Sequence, residues 1–583
     1  MPVAFRVAKV EQWLDSLPRD NGRQAALKLY QSLHSQNRFD ISVEIRLRLL
    51  ELYREPAVET LEMIQELVST KPLPLDKGSQ ELAELVQNLM AELANGYKIA
   101  VSDLIDQNAE ETDDQKQRDQ LLLALQRAIY HLGHALLNAY QAYIPAPSGV
   151  WRELNQLYWY ASGRNLATDS VMVPGSGTPD GTLSITESFQ LAVLLGSSHP
   201  YGLFPGDCMR IYRSLSAWQQ NVEIVEDLEY SHPGGRYLIN LALNAPPVPL
   251  VKIRKVEPAE NLRMLVAVDM LRNLHATIKN WEKSSPADDG DAPDTVGGDV
   301  GRIDLLRRVA QTWSGATVTR KSNRTRTQVD VGVCVGIPAI YYFVNDEQPF
   351  APPLGARQSD NDSLAQAPGW TSRFRREDSA KEMYKLYQCE TRDEGAGGFR
   401  MVTIDEEKIR VRVGDVVGLE HPSWVSWLIG VVRWLQADNE DTIEFGVQIL
   451  APKAQPIAAR RLDSANGKDF PFVPGLLLPE LRPLRQAESL ILPRGTFQPP
   501  HRFEIVGDNS NLRSVLPTGF VDRTSTYERV SLDAPPAQLI PPTPIPVRVN
   551  AQAGESILRR LMRLGWWVKA ESSAPAPPRV VRP

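Results

Sequence analysis

Arg320-Lys-Ser-Asn-Arg324 sets two guanidinium groups four positions apart, and Arg326 follows two residues later. Planar guanidinium forks bind phosphate oxygens bidentately and stack on purine faces. Much further along, Asp393-Glu-Gly395-Ala-Gly-Gly398 offers a carboxylate that accepts N–H groups, flanked by glycines that let a backbone approach closely. Together the two segments suit an anionic purine ligand. Taken alone, Arg320, Lys321, Arg324 and Arg326 read as solvated basic surface, so the weight rests on what positions them.

The positioning elements are strands. After a helix over Ile303 to Trp313, stretches rich in Val, Ile and aromatics occupy Val329 to Val344, Gly398 to Thr403, Ile409 to Leu419, Trp427 to Leu435 and Glu444 to Leu450. This spacing predicts a small antiparallel barrel. Trp434 on one of these strands is read first as core packing, with stacking on a purine base as the second reading.

Arg320 and Arg324 match the R-x-x-x-R of PilZ domains, and Asp393 and Gly398 match the ends of that family's [D/N]-x-S-x-x-G, with Gly395 where the serine stands. Gly430 to Trp434 and Phe445 to Ile449 are similar to its last strands. The region from Arg320 to Leu450 thus resembles a PilZ-type β-barrel, a family of bacterial cyclic di-GMP receptors. The resemblance implies that the arginines wrap the nucleotide and that the Asp393 motif lies on the barrel surface and completes the pocket. The expected ligand is cyclic di-GMP, and the expected ligand-binding set is Arg320, Arg324, Arg326, Asp393, Gly395, Gly398 and Trp434. The missing serine removes a hydrogen-bond donor, and a long insertion over 345–385 separates the motifs more than is usual in the family.

The remainder of the chain predicts an α+β multidomain protein. Apolar residues recur at three and four positions from Ala25 to about Asn280, as in Leu122, Leu125, Ile129, Leu132, Leu136 and Tyr140, the stripe of an amphipathic helix. Residues 1–283 are therefore expected to form an all-α bundle or solenoid, interrupted by a hairpin near 235–256 around Pro246 and Pro247. Ser184 and Glu187 form a capping-box start, while Pro145 and Pro200 mark helix ends. Residues 284–301, rich in Asp, Gly, Pro and Ser, are expected to be a linker, followed by the barrel over 302–465, a further small β region over 466–550 and a short helix and proline-rich tail over 551–583. The helical region resembles those preceding PilZ-like barrels in some large bacterial proteins and is expected to engage a protein partner.

Composition narrows the function. The 583 residues are 42% hydrophobic and 23% charged with a formal net charge of −7, so any anion site is local and a nucleic-acid binder is disfavoured. Three dispersed cysteines, Cys208, Cys334 and Cys389, give no disulfide framework, and with no secretory signal in Met1 to Arg19 the expected location is the cytoplasm. No stretch approaches a membrane span. His131 and His134 lack a third metal ligand nearby, and no catalytic elbow or phosphate-cradling loop appears. The reading is a non-enzymatic cyclic di-GMP effector without cofactor or metal; the alternative is an assembly scaffold whose degenerate barrel no longer binds nucleotide.

Overall fold

A helix buried on every side needs apolar or small residues all round and a counter-charge for any charged group it carries. In the computed structural model, α5 (Gln115–Ala142) is such a helix, with every residue from Ala124 to Tyr140 buried. The structure describes residues 7–18, 20–69, 71, 75–107, 115–174, 178, 180–284, 299–315, 324–353, 384–395, 397–404, 409–437, 442–463, 468–481, 486–498, 501–507 and 512–532. Before α5 come α1 (Val7–Asp15), α2 (Gly22–Gln36), α3 (Val43–Ser69) and α4 (Lys77–Asp106), and after it α6 (Val150–Gly163), α7 (Ile185–Ser197) and α8 (Asp207–Trp218).

The buried charge of α5 is paired. Arg127 donates to both carboxylate oxygens of Glu51 at 2.9 and 3.2 Å, and Tyr97 donates to the same carboxylate at 2.6 Å. Burial alone would push the Glu51 carboxyl up, but hydrogen bonding and charge pairing with Arg127 outweigh it and hold the group below the usual range. His131 stacks on Tyr97 at 5.8 Å between ring centroids, and His134 sits 3.3 Å from the Tyr212 hydroxyl with burial pushing its pKa down to about 4. Among the described residues no group of three metal-ligating side chains gathers.

The helix boundaries follow the chemistry of their ends. Ser184 and Glu187 make the reciprocal capping box that starts α7, and α5 stops at Ala142, just before Pro145. A two-stranded ribbon, β1 (Ser170–Met172) with β2 (Thr182–Ser184), precedes α7. The expected hairpin is present as β4 (Arg236–Asn240) and β5 (Val248–Pro249), within a four-stranded sheet completed by β3 (Glu223–Val225) and β6 (Leu262–Val266) in the order β3-β6-β4-β5. Then follow α9 (Val268–Ser284) and α10 (Asp299–Trp313). Trp313 is fully buried, donates to the Leu194 carbonyl at 3.2 Å and meets Trp218 edge-on. The helical core therefore continues across the division that the sequence places at 284–301, of which 285–298 lie outside the described residues.

The third layer is a barrel. β8 (Asp330–Val335), β9 (Tyr387–Gly395), β10 (Gly398–Thr403), β11 (Val416–Glu420), β12 (Leu428–Ala437) and β13 (Ile443–Ala451) close into six antiparallel strands in the order β8-β9-β10-β13-β12-β11, with β11 pairing back to β8. A short β7 (Thr325–Arg326) extends the pairing along β9 beyond the end of β8. Alternate residues point inward, among them Val331, Cys389, Phe399, Met401, Leu435, Phe445 and Val447. The single strand expected over Val329 to Val344 is corrected: it ends at Val335, and Ile337–Val344 is helix α11. Gly336 in the left-handed region and Pro338 at the helix start turn the chain there. The strand expected from Ile409 is likewise confined to Val416–Glu420, although Ile409, Val411 and Val413 are buried.

A second, curled sheet follows: β14 (Gln455–Asp463), β15 (Lys468–Asp469), β16 (Val473–Leu478), β17 (Ser489–Pro493), β18 (Arg502–Val506), β19 (Leu512–Val515), β20 (Gly519–Arg523) and β21 (Tyr527–Ser531). The order is β19-β18-β14-β16-β17-β21-β20, with β15 on β14. It begins before residue 466, because β14 pairs with β16 and β18 rather than with the barrel. Glu528 in its interior accepts backbone N–H groups from Gly495 and Phe497, and burial pushes its carboxyl up to about 7. Most of the insertion expected over 345–385 and the segment 551–583 lie outside the described residues.

The three parts touch. The Ala437 N–H donates to the Tyr143 carbonyl at 2.8 Å, and Arg433 donates to Asp522 on β20 at 2.8 Å.

Candidate functional site

β7 is only two residues long and begins immediately after Arg324. Its pairing with the end of β9 fixes what Arg324 meets: the guanidinium forms an ion pair with the Asp393 carboxylate, joining positions 69 residues apart. Both side chains stay partly open to solvent, at 24% and 20% exposure, so the pair lies at a surface and not in the core.

Register extends this pair into a row. Arg326 on β7 is the direct partner of Asp393 on β9, Asp393 of Arg400 on β10, Arg400 of Gly446 on β13, and Gly446 of Trp434 on β12. Directly opposed residues share one face of a sheet. The inward positions on either side, Phe445 and Val447, are buried, which puts the row on the outer wall. Four strand spacings of about 4.8 Å give it a length of roughly 19 Å. Arg326 is exposed, and the Arg400 Nε donates to Glu444 on the same wall at 2.6 Å.

Two glycines shape this wall. Gly398 opposes Gly395 across the turn from β9 to β10 and Gln448 on β13. A Cβ on Gly398 would stand 2.0 Å from the Val447 carbonyl oxygen, so only glycine lets β10 approach β13 at this point. At Gly446 the missing side chain is replaced by the Trp434 indole, whose Nε1 lies 1.9 Å from where a Cβ would be. The indole thus occupies the place of a side chain at Gly446, the residue that opposes Arg400.

Trp434 is half-buried on the outer wall, which corrects the core-packing reading of this residue. The cause is a bulge. Val432 opposes Val447 and Trp434 opposes Gly446, leaving Arg433 unpaired between them and turning the next side chain outward. Arg433 itself donates to Gln448 at 2.7 Å and to Asp522 at 2.8 Å, and the Tyr527 hydroxyl donates to the same carboxylate.

Of the expected site residues, Arg324, Arg326, Asp393, Gly395, Gly398 and Trp434 fall on this one wall, and Arg320 lies outside the described residues. Sequence reasoning missed Arg400, Glu444 and Gly446. Arg400 alternates with the inward Phe399 and Met401, a signal that becomes usable only once β10 is known to have a solvent face. Chemically, the wall offers arginine forks for phosphate oxygens, the Asp393 carboxylate for N–H donors and an aromatic side chain at its far end.

Comparison with known proteins agrees with this architecture. A family model of the N-terminal domain of cyclic-di-GMP receptor FimW matches residues 8–227, that of its middle PilZ domain matches 237–377 and 355–456, and that of its C-terminal β-barrel domain matches 457–534. Cyclic-di-GMP receptor FimW of Pseudomonas aeruginosa is 26% identical over 547 residues, covering 87% of this chain and 87% of that protein. The three models follow one another in the order in which the helical layer, the six-stranded barrel and the curled sheet occur. The chain belongs to the PilZ-domain cyclic di-GMP receptor family, in the three-part form that these models describe.

Proposed function

We propose that this protein is a cyclic di-GMP receptor that acts as a signalling effector without catalysis of its own, and that its helical region engages a protein partner. The observation that carries the reading is the Arg324–Asp393 ion pair, which brings the two motifs together on the barrel's outer wall. The related protein's name supplies the ligand: a dinucleotide with two phosphodiester charges and two guanines matches forks, a carboxylate and an aromatic side chain. Arg324, with Arg320 beside it in sequence, takes phosphate oxygens and Asp393 accepts guanine N–H groups. Arg326 adds positive charge, Gly395 and Gly398 keep the turn close to the wall, and Trp434 stacks on a base. No metal or cofactor is called for. Direct contacts of Ala437 with Tyr143 and of Arg433 with Asp522 support a route by which occupancy biases the neighbouring parts.

Among the described residues no helix is long and apolar enough to cross a membrane. We place the protein in the cytoplasm, where the nucleotide is made. A scaffold with a ligand-free barrel is the competing reading, favoured by Gly395 in place of the motif serine and by an Asp393 carboxylate already engaged by Arg324. Calorimetric titration of the full chain with cyclic di-GMP separates the two. A micromolar or tighter dissociation constant is the expected result, and absence of heat from folded protein favours the scaffold.

A further inference from the structure

Arg400 stands between the Asp393 carboxylate and the Trp434 shelf, yet it belongs to neither motif that suggested the site. It opposes Asp393 on one side and Gly446 on the other, and the Trp434 indole fills the space above Gly446 from the opposite strand. The register therefore makes Arg400 and the Trp434 indole neighbours on the outer wall. The Arg400 Nε donates to Glu444 at 2.6 Å, which fixes the plane of the guanidinium, and its side chain remains 30% exposed.

The charges decide what this arginine reads. At the Arg324 end two arginines, Arg324 and Arg326, face the single Asp393 carboxylate and leave net positive charge for a phosphate, whereas Arg400 is matched by the Glu444 carboxylate, which would repel a phosphate placed beside it. A guanine carries no net charge, and its O6 and N7 form the acceptor pair that an arginine fork fits bidentately. Adenine presents an N6 donor in place of O6, so the same fork rejects it. The Trp434 indole beside Arg400 supplies the stacking face that such an edge contact needs.

On the reading that this wall binds cyclic di-GMP, we infer that Arg400 is a specificity-determining residue that recognises the O6/N7 edge of one guanine stacked on the Trp434 indole. Arg324 holds phosphate; Arg400 distinguishes the base. The Glu444 carboxylate acts as a positioning group that keeps the fork aimed at the shelf and turns phosphate away.

The test compares cyclic di-GMP with cyclic di-AMP by competition on the full-length protein and its Arg400→Met and Arg400→Lys variants, with thermal melts as the folding control. In the native protein the guanine ligand is preferred. Arg400→Met lowers that preference by about tenfold or more, because a bidentate base contact is worth that much discrimination. Arg400→Lys keeps the charge but lacks the fork, so it leaves the preference low. An unchanged preference in Arg400→Met, or full preference in Arg400→Lys, overturns the assignment while leaving the receptor reading standing. No binding of either nucleotide by the native protein overturns both.

Discussion

Arg324→Ala is expected to weaken cyclic di-GMP binding by about 100-fold or more. Two effects add. The variant loses charge-assisted hydrogen bonds to a phosphate, each worth about 1.5–3 kcal/mol. It also leaves the Asp393 carboxylate without the cation that now neutralises it, so the approaching phosphate meets an uncompensated negative charge. Each 1.4 kcal/mol is a factor of ten, and the sum reaches two factors. The fold should survive, because Arg324 is a partly exposed residue and surface ion pairs contribute about 0–1 kcal/mol to stability. Calorimetry with a parallel melt checks both statements. A dissociation constant within threefold of the native value would remove Arg324 from the site.

The second large effect is on the barrel itself. In Gly398→Ala the new methyl meets the Val447 carbonyl oxygen at 2.0 Å, the Val447 carbonyl carbon at 3.0 Å and the Gln448 Cα at 3.1 Å. All three are backbone atoms with no rotamer through which to yield. Strands β10 and β13 must part where the Asp393 turn joins the wall, at a cost of about 3 kcal/mol or more. For a domain of this size that corresponds to a fall in melting temperature of roughly 10 °C. Gly397→Ala is the control, since nothing lies within 4 Å of its added methyl. Equal melting temperatures for the two variants would show that β10 does not press on β13 as described.

The sequence showed much of this, but unevenly. Features governed by local chemistry were legible: the Ser184–Glu187 cap, the stripe of α5 and the hairpin at 235–256 each follow from residue type and spacing over a few positions. Cross-strand geometry was not. The bulge that leaves Arg433 unpaired turns Trp434 outward, and no residue type in that stretch announces it, so an aromatic on a strand reads as core. Arg400 escaped notice for the same reason, since a wall residue acquires meaning only from its partners on three other strands. The break between β8 and α11 lay within a run apolar enough for either structure, where Gly336 and Pro338 decided. The pairing of Arg324 with Asp393 was accessible from sequence only through the resemblance to PilZ domains.

Arg324 and Asp393 are expected to face one nucleotide. A crystal structure of the full chain with bound cyclic di-GMP tests this most directly. The predicted result is a phosphate on the Arg324 guanidinium, guanine N–H groups on the Asp393 carboxylate and a base on Trp434. A nucleotide seated elsewhere, with the Arg324–Asp393 pair closed and bare, would contradict it.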